Sequence, residues 1–269
     1  MFSLNPSLQS YSWGSKTLNA DLRGEESPTQ HPQAELWYGA HPAAPADIAG
    51  VPLTDIIAAD PDRELGAAVR ARFGDRLPFL LKILAVAEPL SLQAHPSLAQ
   101  AQEGFRRENA QGIDVRAGNR NYRDDNHKPE LIVALTPFHA MAGFRPLAAT
   151  LELFAALDCP SLARYVGMID STGEEAVNLR MLFTTWITIP AAVRKQLIDD
   201  IIVAAKRVVA EGSAAEWQRE TLANIIELDT HYPGDVGVLG ALLLNYVRLE
   251  PGEGIYLDAG NLHAYCRGL

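Results

Sequence analysis

Residues Tyr122 to Glu130, Tyr-Arg-Asp-Asp-Asn-His-Lys-Pro-Glu, gather charged and ionisable side chains around one proline. They stand directly before the apolar run Leu131-Ile132-Val133-Ala134-Leu135. A strand entering a core seldom opens with so much charge unless the charges have a task. With the strand starting near Lys128, a period of two places Lys128, Glu130 and Ile132 on one face. A cation and a carboxylate then project together at the mouth of a sheet, as a metal ligand and a neighbouring proton-transfer or anion-binding group do. The same spacing recurs in Ser91-Leu92-Gln93-Ala94-His95-Pro96. Residues 91, 93 and 95 share one face of an extended segment, 92 and 94 take the other, and Pro96 stops the strand. Imidazole is the commonest metal ligand, and a Gln carbonyl oxygen can serve beside it. Near the C-terminal end, Pro251-Gly252 marks a turn, Ile255 to Leu257 a short strand, and Ala259-Gly260-Asn261 a second turn that presents His263. Gln93, His95, Glu130 and His263 make a two-nitrogen, two-oxygen set. Its single carboxylate leaves a bound divalent cation a net positive charge, suited to Lewis-acid chemistry.

Each of these residues also has a plainer use. A lone His95 or His263 is more often a hydrogen-bonded core histidine than a ligand, Gln93 an ordinary surface amide, and Glu130 half of a surface ion pair. His127 alternates away from Glu130 and takes a structural or supporting place, as do His139 and His231. Trp13 and Trp37 are more often core than substrate platforms, although Trp13 beside Gly14 could line a binding site. A net charge of −10 argues against a nucleic-acid surface and offers no general attraction for an anion. An anionic substrate therefore needs a local cluster, for which Lys128, Arg145, Lys82 and Lys16 stand near the motifs. Lys128 alone shares a face with Glu130.

The elements that position these residues follow a clear division. Residues 1 to about 147 alternate short apolar strands with turns rich in Pro, Gly, Asn and Asp, broken by helices at Pro61 to Arg72 and at Ser97 to Glu108, the latter capped by Ser97. From about 148 to 232 the pattern turns helical: Val193, Leu197, Ile198, Ile201, Ile202, Ala205, Val208 and Val209 recur at helical spacing, and Leu222, Ile225, Ile226 and Leu228 continue it. Asp235 opens a short helix and Leu243 to Leu249 returns to strand. The expectation is a mainly β chain, a β-sandwich over 1–147 resumed at 233–269, interrupted by an all-α insertion at 148–232. At 269 residues, 48% hydrophobic and 21% charged, the chain is long enough for two domains and globular in composition. The N-terminus lacks a basic patch with a long apolar stretch, no apolar run spans a bilayer, and the two cysteines show no metal or redox spacing. A cytoplasmic location is expected, with no membrane and no nucleic-acid partner; the oligomeric state is open.

Taken in order, these motifs resemble one family. Tyr122 to Glu130 looks like the first signature of type I phosphomannose isomerases, and Ser91 to Pro96 resembles that family's paired Gln and His zinc ligands. Pro251-Gly252-Glu253 leading to His263-Ala264-Tyr265 resembles its last ligand within a cupin sheet. Tyr11-Ser12-Trp13-Gly14, Glu35-Leu36-Trp37 with Gly39-Ala40-His41-Pro42, and Gly143-Phe144-Arg145-Pro146 add further matches. The resemblance implies a cupin-like jelly roll and one Zn2+ per chain held by Gln93, His95, Glu130 and His263. It implies interconversion of mannose 6-phosphate and fructose 6-phosphate through an enediol(ate), with Lys128 as the catalytic candidate and Trp13, Ser91 and Lys128 as substrate-binding candidates. In the family, His-Ala-Tyr opens a longer signature that runs through more strands to a catalytic arginine, a role that Arg267 does not fill. The chain is thus expected to match the N-terminal two-thirds of the family, with an incomplete sheet near residues 255–265. Two other readings stay open: a non-catalytic cupin that binds metal or sugar phosphate, and an iron oxygenase with two His and one Glu, against which the fourth ligand Gln93 speaks.

Overall fold

The computed structural model describes residues 2–269. The chain divides into two compact units, the first comprising the stretch up to Glu88 with Leu135–Phe138 and Arg267–Leu269, the second Pro89–Ala134 with His139–Cys266.

The first unit runs β1 (Ser7–Gln9), α1 (Leu18–Arg23), β2 (Glu35–Tyr38), β3 (Asp47–Ile48), β4 (Val51–Pro52), α2 (Leu53–Ala59), α3 (Pro61–Phe73) and β5 (Leu81–Leu84). An antiparallel sheet of order β1-β2-β5 places Leu36 between Leu8 and Ile83, and there Leu36 is fully buried. The start of α3 follows from its sequence: Asp60 accepts from the N–H of Arg63 at 3.2 Å, and Pro61 occupies the first turn, where its missing N–H costs nothing.

The second unit contains α4 (Leu98–Ala110), β6 (Glu130–Val133), β7 (Phe138–Phe144) except its first residue, α5 (Leu147–Leu157), α6 (Ala163–Val166), α7 (Glu175–Thr188), α8 (Ala191–Glu211), α9 (Glu216–His231), α10 (Val236–Ala241), β8 (Leu244–Leu249), β9 (Gly254–Leu257) and β10 (His263–Arg267) except its last residue. Leu153 and Leu157 of α5, Leu182 and Trp186 of α7, Ile198, Ile201 and Ala205 of α8, and Leu222 and Ile225 of α9 interlock in one core. Their spacing of three and four residues is the reason these stretches are helices, since only that period brings the whole set to one side. Burying each large side chain contributes about 1.5–3 kcal/mol, an upper figure because unfolded chains already hide part of that surface.

The helical stretch lies where the periodicity puts it, and α8 and α10 begin after Pro190 and Asp235 as expected. The β content is smaller than the sequence suggests. More residues are helical than extended, and among the described residues the strands form four small sheets, β1-β2-β5, β10-β7-β8, β3-β4 and β6-β9, rather than a closed sandwich. The physical reason is strand length, because seven of the ten described strands run only two to four residues and leave much apolar sequence in turns and irregular backbone. β6 pairs only with β9, with Leu131 opposite Tyr256 and Val133 opposite Gly254. Its outer face is apolar yet open, with Leu131 70%, Val133 53% and Tyr256 61% exposed. Among the described residues, no single helix is long and apolar enough to cross a membrane.

Candidate metal centre

Three segments of the second unit converge on one point. The first is extended backbone at 90–95, which Leu90 ties to the carbonyl of Tyr265 at 2.9 Å. Gln93 and His263 exchange both main-chain hydrogen bonds at 2.8 Å, an isolated antiparallel bridge that locks the two ligand-bearing segments together. The carbonyl of His95 accepts from Gly260 at 2.8 Å, which fixes the turn before His263. The second segment is the start of β6, where Glu130 faces inward opposite Leu257. The third is β10, whose first residue is His263.

The side chains of His95, Glu130 and His263 offer ligand atoms that all lie within 4.8 Å of one another. His95 Nε2 stands 3.1 Å from Glu130 Oε1, and His263 Nε2 stands 3.6 Å from Glu130 Oε2. Tetrahedral ligands at ordinary zinc distances sit roughly 3.3 Å apart, so the set fits a small divalent cation with little adjustment. His263 donates from Nδ1 to the carbonyl of Asn261 at 2.9 Å, leaving its Nε2 lone pair turned to the centre. Tyr265 donates its hydroxyl to Glu130 Oε2. Burial pushes the Glu130 carboxyl up, but the hydrogen bonds from His95 and Tyr265 and the charges of the two histidines outweigh it and hold the group below its ordinary value. Burial, then the Glu130 charge, push the Tyr265 phenol up, so it stays a donor.

A clasp holds the segment that leads into Glu130. Arg120 donates to the carbonyls of Tyr122 at 2.6 Å and Ile113 at 2.7 Å and to Asn109 Oδ1 at 2.7 Å. Its Nε lies 3.0 Å from Glu108, which also accepts from the N–H groups of Asn121 and Tyr122. Both side chains are buried. The ring of Tyr122 lies over Gly104 of α4, which has no side chain to obstruct it.

The other sequence candidates fall as follows. Gln93 sits beside His263 through the bridge, with its residue exposed. Ser91 is exposed. Lys128 does not lie on β6 with Glu130: Pro129 has no N–H for the ladder, so the strand begins after it. Lys128 instead bonds Asp124 Oδ1 at 2.7 Å and the carbonyl of Asn126 at 3.2 Å in an exposed loop. Trp13 belongs to the first unit, where it stacks on Tyr11 at 5.6 Å and its carbonyl accepts from Ala87 and Glu88. Arg145 is not an anion site. It is buried, donates to the carbonyls of Leu242 and Leu244, packs over Trp217, and is pushed down to about 10 by burial. Lys82 of β5 lies opposite Trp37 of β2, 4.8 Å over its ring and 3.4 Å from the buried Glu35, to which Trp37 also donates. Lys16 is exposed.

The sequence profile described as "Phosphomannose isomerase type I, catalytic domain" matches residues 1–147, the stretch that contains Gln93, His95 and Glu130. The chain belongs to the type I phosphomannose isomerase family. Among curated members of that family, mannose-6-phosphate isomerase of Escherichia coli K12 is 40% identical over 270 residues, covering 98% of this chain and 65% of its own. The human enzyme is 31% identical over 290 residues, covering all of this chain and 65% of its own length. The crystal structure of mannose 6-phosphate isomerase from Salmonella typhimurium bound to fructose 6-phosphate and zinc superposes with a TM-score of 0.84 at 38% identity, covering 100% of this chain and 66% of that one. The chain thus spans about two-thirds of the length of the phosphomannose isomerases it matches.

Sequence reasoning left Tyr265 without a role. The signal was present, since residues two apart on a strand share a face and Tyr265 follows His263 by two. The Glu35–Lys82 contact had no comparable signal, because it depends on which strands become neighbours.

Proposed function

We propose that this chain carries the metal centre of a zinc-dependent aldose-ketose isomerase acting on mannose 6-phosphate and fructose 6-phosphate. The convergence of His95, Glu130 and His263 is the observation that carries the reading, and the likeness to the zinc-bound Salmonella enzyme supports it. One zinc per chain is held by these three with Gln93 as the fourth ligand. Bound there, zinc supplies Lewis-acid stabilisation of negative charge growing on a substrate oxygen. Ser91, Trp13 and Lys128 are the substrate contacts in this reading. Lys128 lies two residues before Glu130 on an exposed loop, its ammonium held among the described residues by Asp124 and the carbonyl of Asn126, partners it can exchange for a sugar phosphate. As a base, Lys128 would act with its Nζ uncharged, taking the proton from C2 of the aldose and returning it to C1 while the hydroxyl proton passes from O2 to O1. The domain reading is a cupin-like sandwich, 1–147 with 233–269, into which the helical 148–232 is inserted. It draws support from strand pairing: β6 joins β9, and β7 joins β8 and β10, across the helical stretch. The setting proposed is the cytoplasm.

The test is isomerisation of mannose 6-phosphate by chelator-treated and zinc-restored protein, with metal content measured in parallel. Activity should vanish with the metal and return with zinc. Replacing His263 with Ala should take the metal content from one per chain to near zero. Lys128→Ala should leave zinc in place and lower the rate severely; unchanged turnover would reduce Lys128 to a solvated charge. Lys128→Arg separates the two roles, since Arg keeps the cation but cannot deprotonate usefully. The second reading is a centre that binds metal or sugar phosphate without turnover. Zinc-dependent binding of fructose 6-phosphate with no isomerisation would establish it.

A further inference from the structure

We infer that Tyr265 is a positioning residue for the metal ligand Glu130, and that it sets a one-oxygen mode of carboxylate coordination. The inference rests on the metal reading above and concerns how this chain holds its metal. β6 and β10 lie in different sheets, so no main-chain ladder joins the strand of Glu130 to the strand of His263. The link is made by side chains. His263 and Tyr265 project from the same face of β10, and both reach Oε2 of Glu130, His263 at 3.6 Å and Tyr265 through its hydroxyl. The Glu130 side chain is one-third exposed and free to rotate without such a partner, whereas Tyr265 is 7% exposed and its ring leans on that of His263 at 5.5 Å. The rigid group therefore orients the mobile one.

The hydrogen bond also divides the two carboxylate oxygens. Oε2 takes the phenolic hydrogen, which draws charge from it and blocks one approach. Oε1 is hydrogen-bonded to His95 Nε2 at 3.1 Å, but a cation bound at that imidazole would replace this bond, leaving Oε1 as the ligand atom. One oxygen and two imidazole nitrogens suit a small cation of low coordination number such as Zn2+. Larger hard cations, which gain from both carboxylate oxygens and from more ligands, fit less well.

The test compares the wild-type protein with Tyr265→Phe. Zn2+ affinity is measured by competition against a chromogenic chelator, Mn2+ affinity by electron paramagnetic resonance, and the fold of the metal-free proteins by circular dichroism and urea unfolding. Tyr265→Phe should weaken zinc by about 10–100-fold, the usual effect of removing a partner that orients a ligand. Manganese should weaken less, so the preference for zinc narrows. If Tyr265→Phe does not fold, Tyr265→Met refills the space with a flexible apolar chain and carries the same expectations. A folded variant that binds zinc as tightly as wild type overturns the inference, as does equal weakening of both metals. Wild-type protein that binds no zinc tells instead against the metal reading itself.

Discussion

Gly104→Ala tests whether the segment from Tyr122 to Glu130 is seated on α4 as described. By helix propensity alone the substitution should stabilise by about 1 kcal/mol. The structure reverses that sign. A Cβ at position 104 falls 2.5 Å from Cδ2, Cε2 and Cζ of Tyr122. Carbon atoms in ordinary contact need roughly 1 Å more. The ring cannot swing aside at little cost, because the N–H of Tyr122 is held by Glu108 at 2.9 Å and its carbonyl by Arg120 at 2.6 Å. Overpacking costs about 1–3 kcal/mol, and a clash with three ring atoms belongs near the top of that range. After the helix gain, the net loss is about 1–2 kcal/mol. Urea unfolding of the metal-free proteins, followed by far-ultraviolet circular dichroism, should show a lower midpoint at unchanged slope. A midpoint equal to or above wild type would refute the seating of Tyr122 on Gly104.

Two further outcomes follow from the same structure. The N–H of Tyr122 above all, then the bonds from Asn121 and the nearby Arg120, hold the Glu108 carboxyl below its ordinary value against the opposing effect of burial. A depressed carboxyl contributes stability above its unfolded value and loses it as pH falls through the folded one. Glu108→Gln should thus melt below wild type at neutral pH, with the gap closing below about pH 4; a constant gap would exclude this role. Leu131→Thr with Tyr256→Thr removes two exposed apolar groups from the outer face of β6 and β9 and should lower binding of a hydrophobic dye while changing stability by no more than about 0.5 kcal/mol each. Undiminished dye binding would place the accessible apolar surface elsewhere.

The parts of the site legible in the sequence are those governed by short-range rules. His95, Glu130 and His263 stand out because proline and glycine turns fix where extended segments start and stop, and period two then assigns faces. The helix beginnings at Ser97, Pro190 and Asp235 are legible for the same reason, since caps and prolines act on the next few residues. A period of two aligns Lys128 with Glu130, but Pro129 lacks the N–H that would extend the ladder, so the strand begins only at Glu130. The small share of strand, and the absence of a closed sandwich among the described residues, depend on which strands pair across the helical stretch, which no local pattern encodes. The pairing of Trp37 with Lys82, and with it the approach of Lys82 to Glu35, is fixed by the same long-range choice.

The spread of the ligands along the chain has a consequence for the life of the protein before it is finished. Tyr265 and Glu130 are 135 residues apart, and the stretch between them contains the whole helical core. At translation rates of about 5–20 residues per second, roughly 7–27 s separate the synthesis of Glu130 from that of its partners on β10. During that interval His95 and Glu130 exist without His263, whose bridge to Gln93 joins its segment to that of His95. The geometry shared by His95, Glu130 and His263 is complete only once β10 has docked on segments made before the helices.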